Sequence, residues 1–547
     1  MRTAARCVLT ALAGLLVLAA LTVPNRLQDL GPSAAPKLPL EALVYVAVVL
    51  ALPRHLARLR AAFALAAGAV LGLVAVFKVL DMGFNESLNR PFDVLIDWRY
   101  AGSLVGLLRD SFGGGLGTVL LVAAAVGVVA LLVLTPLSVR RLTRVAERHR
   151  GPAWRVLAAL TALWLVLALL DVRVGNGTAV ASSDAAGYVY GEVSRIPSEL
   201  RDQRRFARAA EDDPLRQVPA DQQLTALRGK DVLFVFVESY GRVAVEDSSV
   251  ASGVTAVLDD GTRRLEAAGW SARSAFLTSP TFGAISWLAH STLQSGLWVD
   301  SQQRYDALVT SPRLTLSRVF GQAGWRTVAD VPANTRDWPH GEFYGYDQVY
   351  DSRNVGYEGP RFGYPTMPDQ FTLDAFHRLE LAASPRQPVM AEIDLITSHA
   401  PWSRTPRIID QAAVGDGSVY DGMPEQLPSE TDIWPDPERV RAAYGESVEY
   451  SLSALVEFVL AYGDDDLVVV LLGDHQPATI VSGDDASHDV PITVVARDPA
   501  VLGRIGDWDW DAGLHPSPEA PVWRMDSFRD RFLAAYGAGP HTEGVGP

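Results

Sequence analysis

Cysteine is almost absent: the 547-residue chain has one, Cys7. A lone thiol forms no internal disulfide, so any water-exposed part of the chain must be held together by a large apolar core. Basic charge is also in deficit. The 48 Lys and Arg stand against 63 Asp and Glu, a formal net charge of −15, which excludes a general nucleic-acid binder. Charge of either sign is scarce through the front of the chain, where Leu, Val and Ala fill long stretches, and the 48% hydrophobic content averages over two unlike halves.

Five apolar stretches occupy the front half: Cys7–Val23, Leu38–Leu52, Ala61–Leu80, Leu116–Leu137 and Val156–Leu170. A bilayer core of about 30 Å asks for roughly 20 helical residues, so the third and fourth span it comfortably and the shorter ones do so if flanking side chains snorkel. Arg2 and Arg6 precede the first stretch, Arg54, Arg58 and Arg60 follow the second, and Arg140, Arg141, Arg144, Arg148, Arg150 and Arg155 separate the fourth from the fifth. Under the positive-inside bias the amino terminus is cytoplasmic and everything after Leu170 is outside the cell. Arg2, Arg6 and an apolar run also fit a signal peptide. Its removal would leave four spans and the same placement of the large domain. The expected organisation is a transmembrane domain of five helices over 1–171, a juxtamembrane linker over 172–230 and an extracellular catalytic domain over 231–540. Within the linker, DQRRFARAAEDD reads as a helix lying along a surface or membrane, its charges a solvated face.

From Asp231 onward, β-rich apolar runs alternate with helical patterns: DVLFVFVES, WRTVADVP, PVMAEIDLI, LVVVLLGDH and DVPITVVARD, with helices near Val254–Ala268 and along Val440, Tyr444, Val448, Leu452, Leu455 and Val459. Such alternation predicts an α/β sandwich around a mostly parallel sheet, with its ligands beyond the carboxyl ends of the strands. Those ends carry Glu238 and Ser239, Asp474 and His475, and a third strand with Asp394 leads to His399. Each alone has a plain structural reading, a helix cap or a surface histidine. Together, carboxylates and imidazoles at one sheet edge have the composition of a divalent-cation site. In SPTFGAISWLAHSTLQSGLW the spacing predicts a helix over Ser286–Ser295. Ser286 at its first turn is either a cap or a nucleophile that a cation would activate. The segment Arg404–Pro437, rich in Pro, Asp and Gly, reads as an extended surface insertion over the site.

These residues resemble the alkaline phosphatase superfamily, in its sulfatase-like branch with lipoteichoic acid synthases and membrane phosphoglycerol transferases. The resemblance rests on VES at Glu238, S-W-L-A-H-S-T-L-Q-S-G from Ser286 to Gly296, SHAPW at His399, and Gly473-Asp474-His475 as G-D-H. It covers about Asp231–Pro499, and the membrane half by arrangement. It implies a multi-pass helical membrane region followed by an α/β sandwich, metal ligands Glu238, Ser286, Asp474 and His475, a nucleophile Ser286 and a substrate-binding or proton-donating His399. Substrate contacts would fall on Trp338, His340, Arg353 and His488. The sequence departs from the branch in two places: Ser286 replaces the Thr of lipoteichoic acid synthases, and His340 stands where a Trp-x-Arg element has Arg, leaving the head group open. The sulfatase element C/S-x-P-x-R is missing after Ser286, so no sulfate ester hydrolysis is expected.

The implied activity is metal-dependent transfer of a phosphoglycerol-type group from a membrane lipid donor to a cell-envelope glycan or polymer, through a covalent serine intermediate, at the plasma membrane. One divalent cation is implied, manganese first, with magnesium or zinc as alternatives. Competing readings are a phosphodiesterase or phosphatase of the same superfamily, a phosphoethanolamine transferase, and a degenerate membrane-tethered binding protein.

Overall fold

The computed structural model describes residues 2–30, 37–94, 96–174, 178–246 and 248–537; the last three residues of the expected catalytic domain, 538–540, lie outside them. Two compact units emerge, Met1–Glu86 with Arg90–Asp202, and Ser87–Asn89 with Gln203–Pro547.

The first unit is helical: α1 (Arg2–Thr22), α2 (Leu40–Ala51), α3 (Ala57–Leu88), α4 (Ala101–Arg148), α5 (Arg150–Leu169) and the first part of α6 (Asp184–Glu211). Among the described residues four helices are long and apolar enough to cross a membrane, in α1, α3, α4 and α5. The second expected span is shorter as a helix than the apolar stretch that suggested it. Pro39 stands just before its helix and Pro53 just after, where it holds the preceding Leu52 in an extended conformation. Only the 12 residues of α2 are left, about 18 Å of rise. The segment nonetheless reaches both ends of α5. Leu38 and Pro39 pair with Ala181 and Ser182 beyond its carboxyl end, while the carbonyls of Leu50 and Leu52 accept from Arg150 at its start.

The second unit is built on a nine-stranded sheet: β1 (Asp231–Val237), β2 (Ser271–Thr278), β3 (Arg326–Asp330), β4 (Gln348–Tyr350), β5 (Val389–Leu395), β6 (Leu467–Gly473), β7 (Asp489–Ala496), β8 (Asp511–Ala512) and β9 (Val522–Arg524). The order is β8-β2-β7-β6-β1-β5-β3-β4, with β9 also on β2. From β6 to β4 all neighbours are parallel, and β7 runs antiparallel to both β6 and β2. Buried on both faces, β1 and β6 read as continuous apolar runs. One face packs on α7 (Ala251–Ala267) and on α10 (Pro437–Tyr462), through Val254, Leu258, Tyr444, Val448 and Leu455. The other packs on α8 (Ser286–Ser295), α9 (Leu316–Gln322) and α11 (Phe528–Tyr536), through Ala289, Leu293, Phe320 and Phe532. Leu224 and Leu227 are fully buried in that second face, so the end of the expected linker is core.

The Arg404–Pro437 segment is not extended. Short 3₁₀ turns at Gln411–Ala413, Ser418–Tyr420 and Pro424–Gln426 fold it back. Val414, Tyr420 and Met423 bury against Val355, Phe362 and Phe371. Its Pro and Gly content sets turns, and the few apolar residues between them supply a small core.

Candidate metal centre and nucleophile

Parallel β1 and β6 are in register from Leu467 opposite Asp231 to Gly473 opposite Val237, so both strands end at one level. Glu238 leaves β1 where Asp474 and His475 leave β6. Gly473 is required there by close approach: a Cβ on it would meet the Tyr240 carbonyl oxygen at 1.9 Å. Ser286 opens α8 after Ile285, whose φ of 71° is left-handed, a conformation costly for a β-branched residue. Ser239, next to Glu238, also has positive φ, 57°. The backbone on both sides of the site is thus held by its surroundings. At its other end α8 closes on Gly296 in the left-handed region, as helix ends favour.

The Ser286 hydroxyl donates to Glu238 Oε2 at 2.8 Å and lies 3.3 Å from His475 Nε2. His475 Nε2 is 3.3 Å from Glu238 Oε1 and 3.6 Å from Asp474 Oδ2. The Nδ1–H of the same ring points to the Gln476 carbonyl at 2.8 Å, which leaves the Nε2 lone pair facing the group. Asp474 is wholly buried. Its Oδ1 accepts from the Ser239 and His475 amides, both at 2.7 Å, while Oδ2 is buried without a hydrogen-bond partner among the described residues. An orphaned carboxylate oxygen, a free imidazole lone pair, a second carboxylate and a hydroxyl converge on one point, and the ligand atoms of Glu238, Asp474 and His475 lie within 4.8 Å of one another. This donor set fits one divalent cation.

The charges agree. Burial, then the Glu238 charge, pushes the Asp474 carboxyl up to about 6. Burial pushes the His475 imidazole down, but the Asp474 charge and the Glu238 hydrogen bond outweigh it and raise it to about 9. Burial raises Glu238 too, and the His399 charge followed by His475 hold it well below the usual carboxylate range. Cation-free, the group is short of positive charge.

His399 stacks on Tyr364, ring centroids 3.8 Å apart. Its Nδ1 is hydrogen-bonded to the Ala400 carbonyl, so Nε2 is the nitrogen available for proton transfer. Half-buried Trp338 packs on Tyr344 and Tyr346 in the same apolar cluster as Ile285 and Trp287, which flank Ser286. Exposed His340 meets the Tyr305 ring edge-on at 5.7 Å. The Arg353 guanidinium is taken up by Asp351 and Asp337. Half-buried His488 sits by Phe282, centroids 5.2 Å apart, and burial lowers its pKa.

Sequence reasoning passed over a second group. His290 Nδ1 donates to Glu392 Oε1 at 2.9 Å and lies 3.5 Å from Asp394 Oδ1. The ligand atoms of this trio are also within 4.8 Å of one another. Here, however, Glu392 Oε2 is already met by Gln294 Nε2 and the Tyr346 hydroxyl. A carboxylate satisfied by an imidazole, an amide and a phenol is a hydrogen-bonded ion pair that ties α8 to β5. Burial would lower His290, but Asp394 and then Glu392 raise it to about 10. The available signals were His290 four residues after Ser286, on the same helix face, and Glu392, a carboxylate buried inside an otherwise mostly apolar strand.

No family model matches the chain, and no curated protein matches it. Solved structures do. A lipoteichoic acid synthase of Listeria monocytogenes is 17% identical, with a TM-score of 0.35, over 49% of this chain and 66% of that one, just under two thirds of its length. A protein of the alkaline phosphatase superfamily from Vibrio parahaemolyticus is 16% identical, with a TM-score of 0.34, over 54% and 69%. A Streptococcus pyogenes phosphoglycerol transferase, solved with sn-glycerol-1-phosphate, is 13% identical, with a TM-score of 0.34, over 62% and 91%.

Proposed function

We propose that the chain is a membrane-anchored, metal-dependent phosphotransferase that moves a phosphoglycerol-type group from a lipid to a cell-envelope glycan or polymer. The observation that carries this is Ser286 Oγ within 3.3 Å of both Glu238 and His475, beside the orphaned Asp474 Oδ2. Glu238, Ser286, Asp474 and His475 would hold one divalent cation, manganese before magnesium or zinc, which when bound stabilises the serine alkoxide and the charge on the phosphoryl oxygens.

In the first step Ser286 Oγ attacks the phosphorus of the lipid head group. Its proton has Glu238 Oε2 as acceptor. The Oγ–P bond forms as the P–O bond to diacylglycerol breaks, and the departing oxygen takes a proton from His399 Nε2. In the second step the acceptor hydroxyl loses its proton to His399, its oxygen bonds to phosphorus, and the Oγ–P bond breaks as Oγ takes back the proton held by Glu238, which restores Ser286. Trp338, His340, Arg353 and His488 are assigned to the head group and the acceptor.

The proposed division is 1–171 membrane domain, 172–230 linker, whose end from Leu224 packs into the sheet unit, and 231–540 catalytic domain. The proposed topology is five crossings, with the Leu38–Leu52 segment completing the set, an amino terminus in the cytoplasm and a catalytic domain outside the plasma membrane. In support, this segment reaches from Ala181, beyond α5, to Arg150, at its start.

Full-length chain incubated with manganese and phosphatidylglycerol vesicles, then analysed by peptide mass spectrometry, should carry a glycerophosphate adduct on Ser286 that Ser286→Ala lacks. The reading fails if no adduct forms on Ser286 and no lipid is turned over with manganese, magnesium or zinc.

A further inference from the structure

Helix α6 is inside out for a water-soluble helix. An amphipathic helix on a globular protein turns its apolar stripe to the core and its charges to water. On α6, Tyr188, Glu192 and Glu199 lie on the half-buried side, while Val189, Val193, Ile196 and Leu200 are exposed. These four recur at spacings of four, three and four, which places them on one face. Val193 is 60% exposed, and Tyr190 at the border of the stripe 77%. Ser194 and Ser198 point to the opposite side, and Arg201, Arg204, Arg205 and Arg208 follow the stripe, all exposed.

We propose that this stripe lies in the lipid interface of the membrane that α1, α3, α4 and α5 cross, so that α6 is a seat on the bilayer surface. The inference rests on the membrane-spanning reading of those helices and not on the phosphotransferase reading. Its position within the first unit identifies the occupant. The helix begins 15 residues after the end of α5, whose final Leu169 is 84% exposed. The strand pair between Leu38–Pro39 and Ala181–Ser182 holds the intervening segment at the same end of the helix bundle. The apolar stripe therefore starts where an apolar membrane-facing surface stops. An exposed apolar face with cationic side chains beyond it has the composition of an interfacial helix, with the arginines placed for anionic head groups.

The test uses the full chain with Cys7→Ala and single cysteines at Val193, Leu200 or, as the opposite-face control, Ser198. Each is labelled with an environment-sensitive fluorophore and reconstituted in vesicles of phosphatidylcholine and phosphatidylglycerol. Acyl-chain bromines should quench the labels at 193 and 200 several-fold more than the label at 198, and aqueous iodide should do the reverse. Two results would overturn the proposal. One is equal iodide quenching at all three sites, which means a stripe in water. The other is protection of 193 and 200 from both quenchers, which means a stripe covered by protein; nanodiscs holding one copy would then tell a second copy from this chain's own catalytic unit. Two labelled positions on the stripe guard against a variant that misfolds, and no readout depends on turnover.

Discussion

His290 ties the helix that begins at Ser286 to strand β5. It lies one turn after Ser286 on α8, stacks on Phe236 with ring centroids 3.8 Å apart, and pairs with Glu392. Its folded pKa of about 10 stands above the ordinary value of 6.5. The stabilisation from this pair is therefore fully present below about pH 6.5 and is lost as pH rises through about 10. Thermal unfolding of the detergent-solubilised chain should show that loss, and His290→Gln should flatten the profile over the same window while lowering transfer roughly 10- to 100-fold through a misplaced serine. A variant that kept the wild-type slope would remove His290 from this role. Asp474→Asn belongs to the same scale. It keeps the shape but removes the carboxylate's unit negative charge and puts an amide NH2 in place of the orphaned oxygen, and should weaken metal binding at least tenfold in titration calorimetry.

At the scale of elements, the strand ends set the geometry. Adding a methyl at Gly473 drives Cβ into the Tyr240 carbonyl; that neighbour is backbone and has no rotamer to yield. Gly473→Ala should cost about 1–3 kcal/mol, read as a lower unfolding temperature, and should reduce metal affinity because Asp474 and His475 move with the strand end. A variant with wild-type stability and affinity would mean the strand end relaxes freely. The glycine was visible in the sequence as a turn former; its actual constraint, a close approach between β6 and the chain leaving β1, was not, because it involves residues more than 200 positions apart. The same limit explains Arg404–Pro437, where composition suggested exposure and sparse apolar residues found partners around Phe371. By contrast the bounds of α8 were legible, since Gly296 at its close and its apolar repeat are local, although Ile285 and not Ser286 stands at its N-cap.

At the scale of the molecule, a cation bound only by the folded catalytic unit should stabilise it by mass action. At a hundredfold excess over Kd the gain is about 2.7 kcal/mol. Chelation should therefore lower the unfolding temperature of the wild type and leave that of Asp474→Asn nearly unchanged; equal shifts in both would place the stabilising ion elsewhere. With Cys7→Ala, a cysteine at exposed Glu519 should react with a membrane-impermeant maleimide on intact cells. Protection until the cells are broken would reverse the proposed topology. The layout of apolar spans followed by an α/β unit, the strand ends and the Ser286, Asp474 and His475 motifs were all readable along the chain, because burial pattern and turn chemistry repeat over a few residues. The hydrogen bonds within the Glu238, Ser286 and His475 group, the His290–Glu392 tie and the reversed face of α6 were not. Each depends on which surfaces the fold brings together, and contact energy between distant segments leaves no periodic trace in either one.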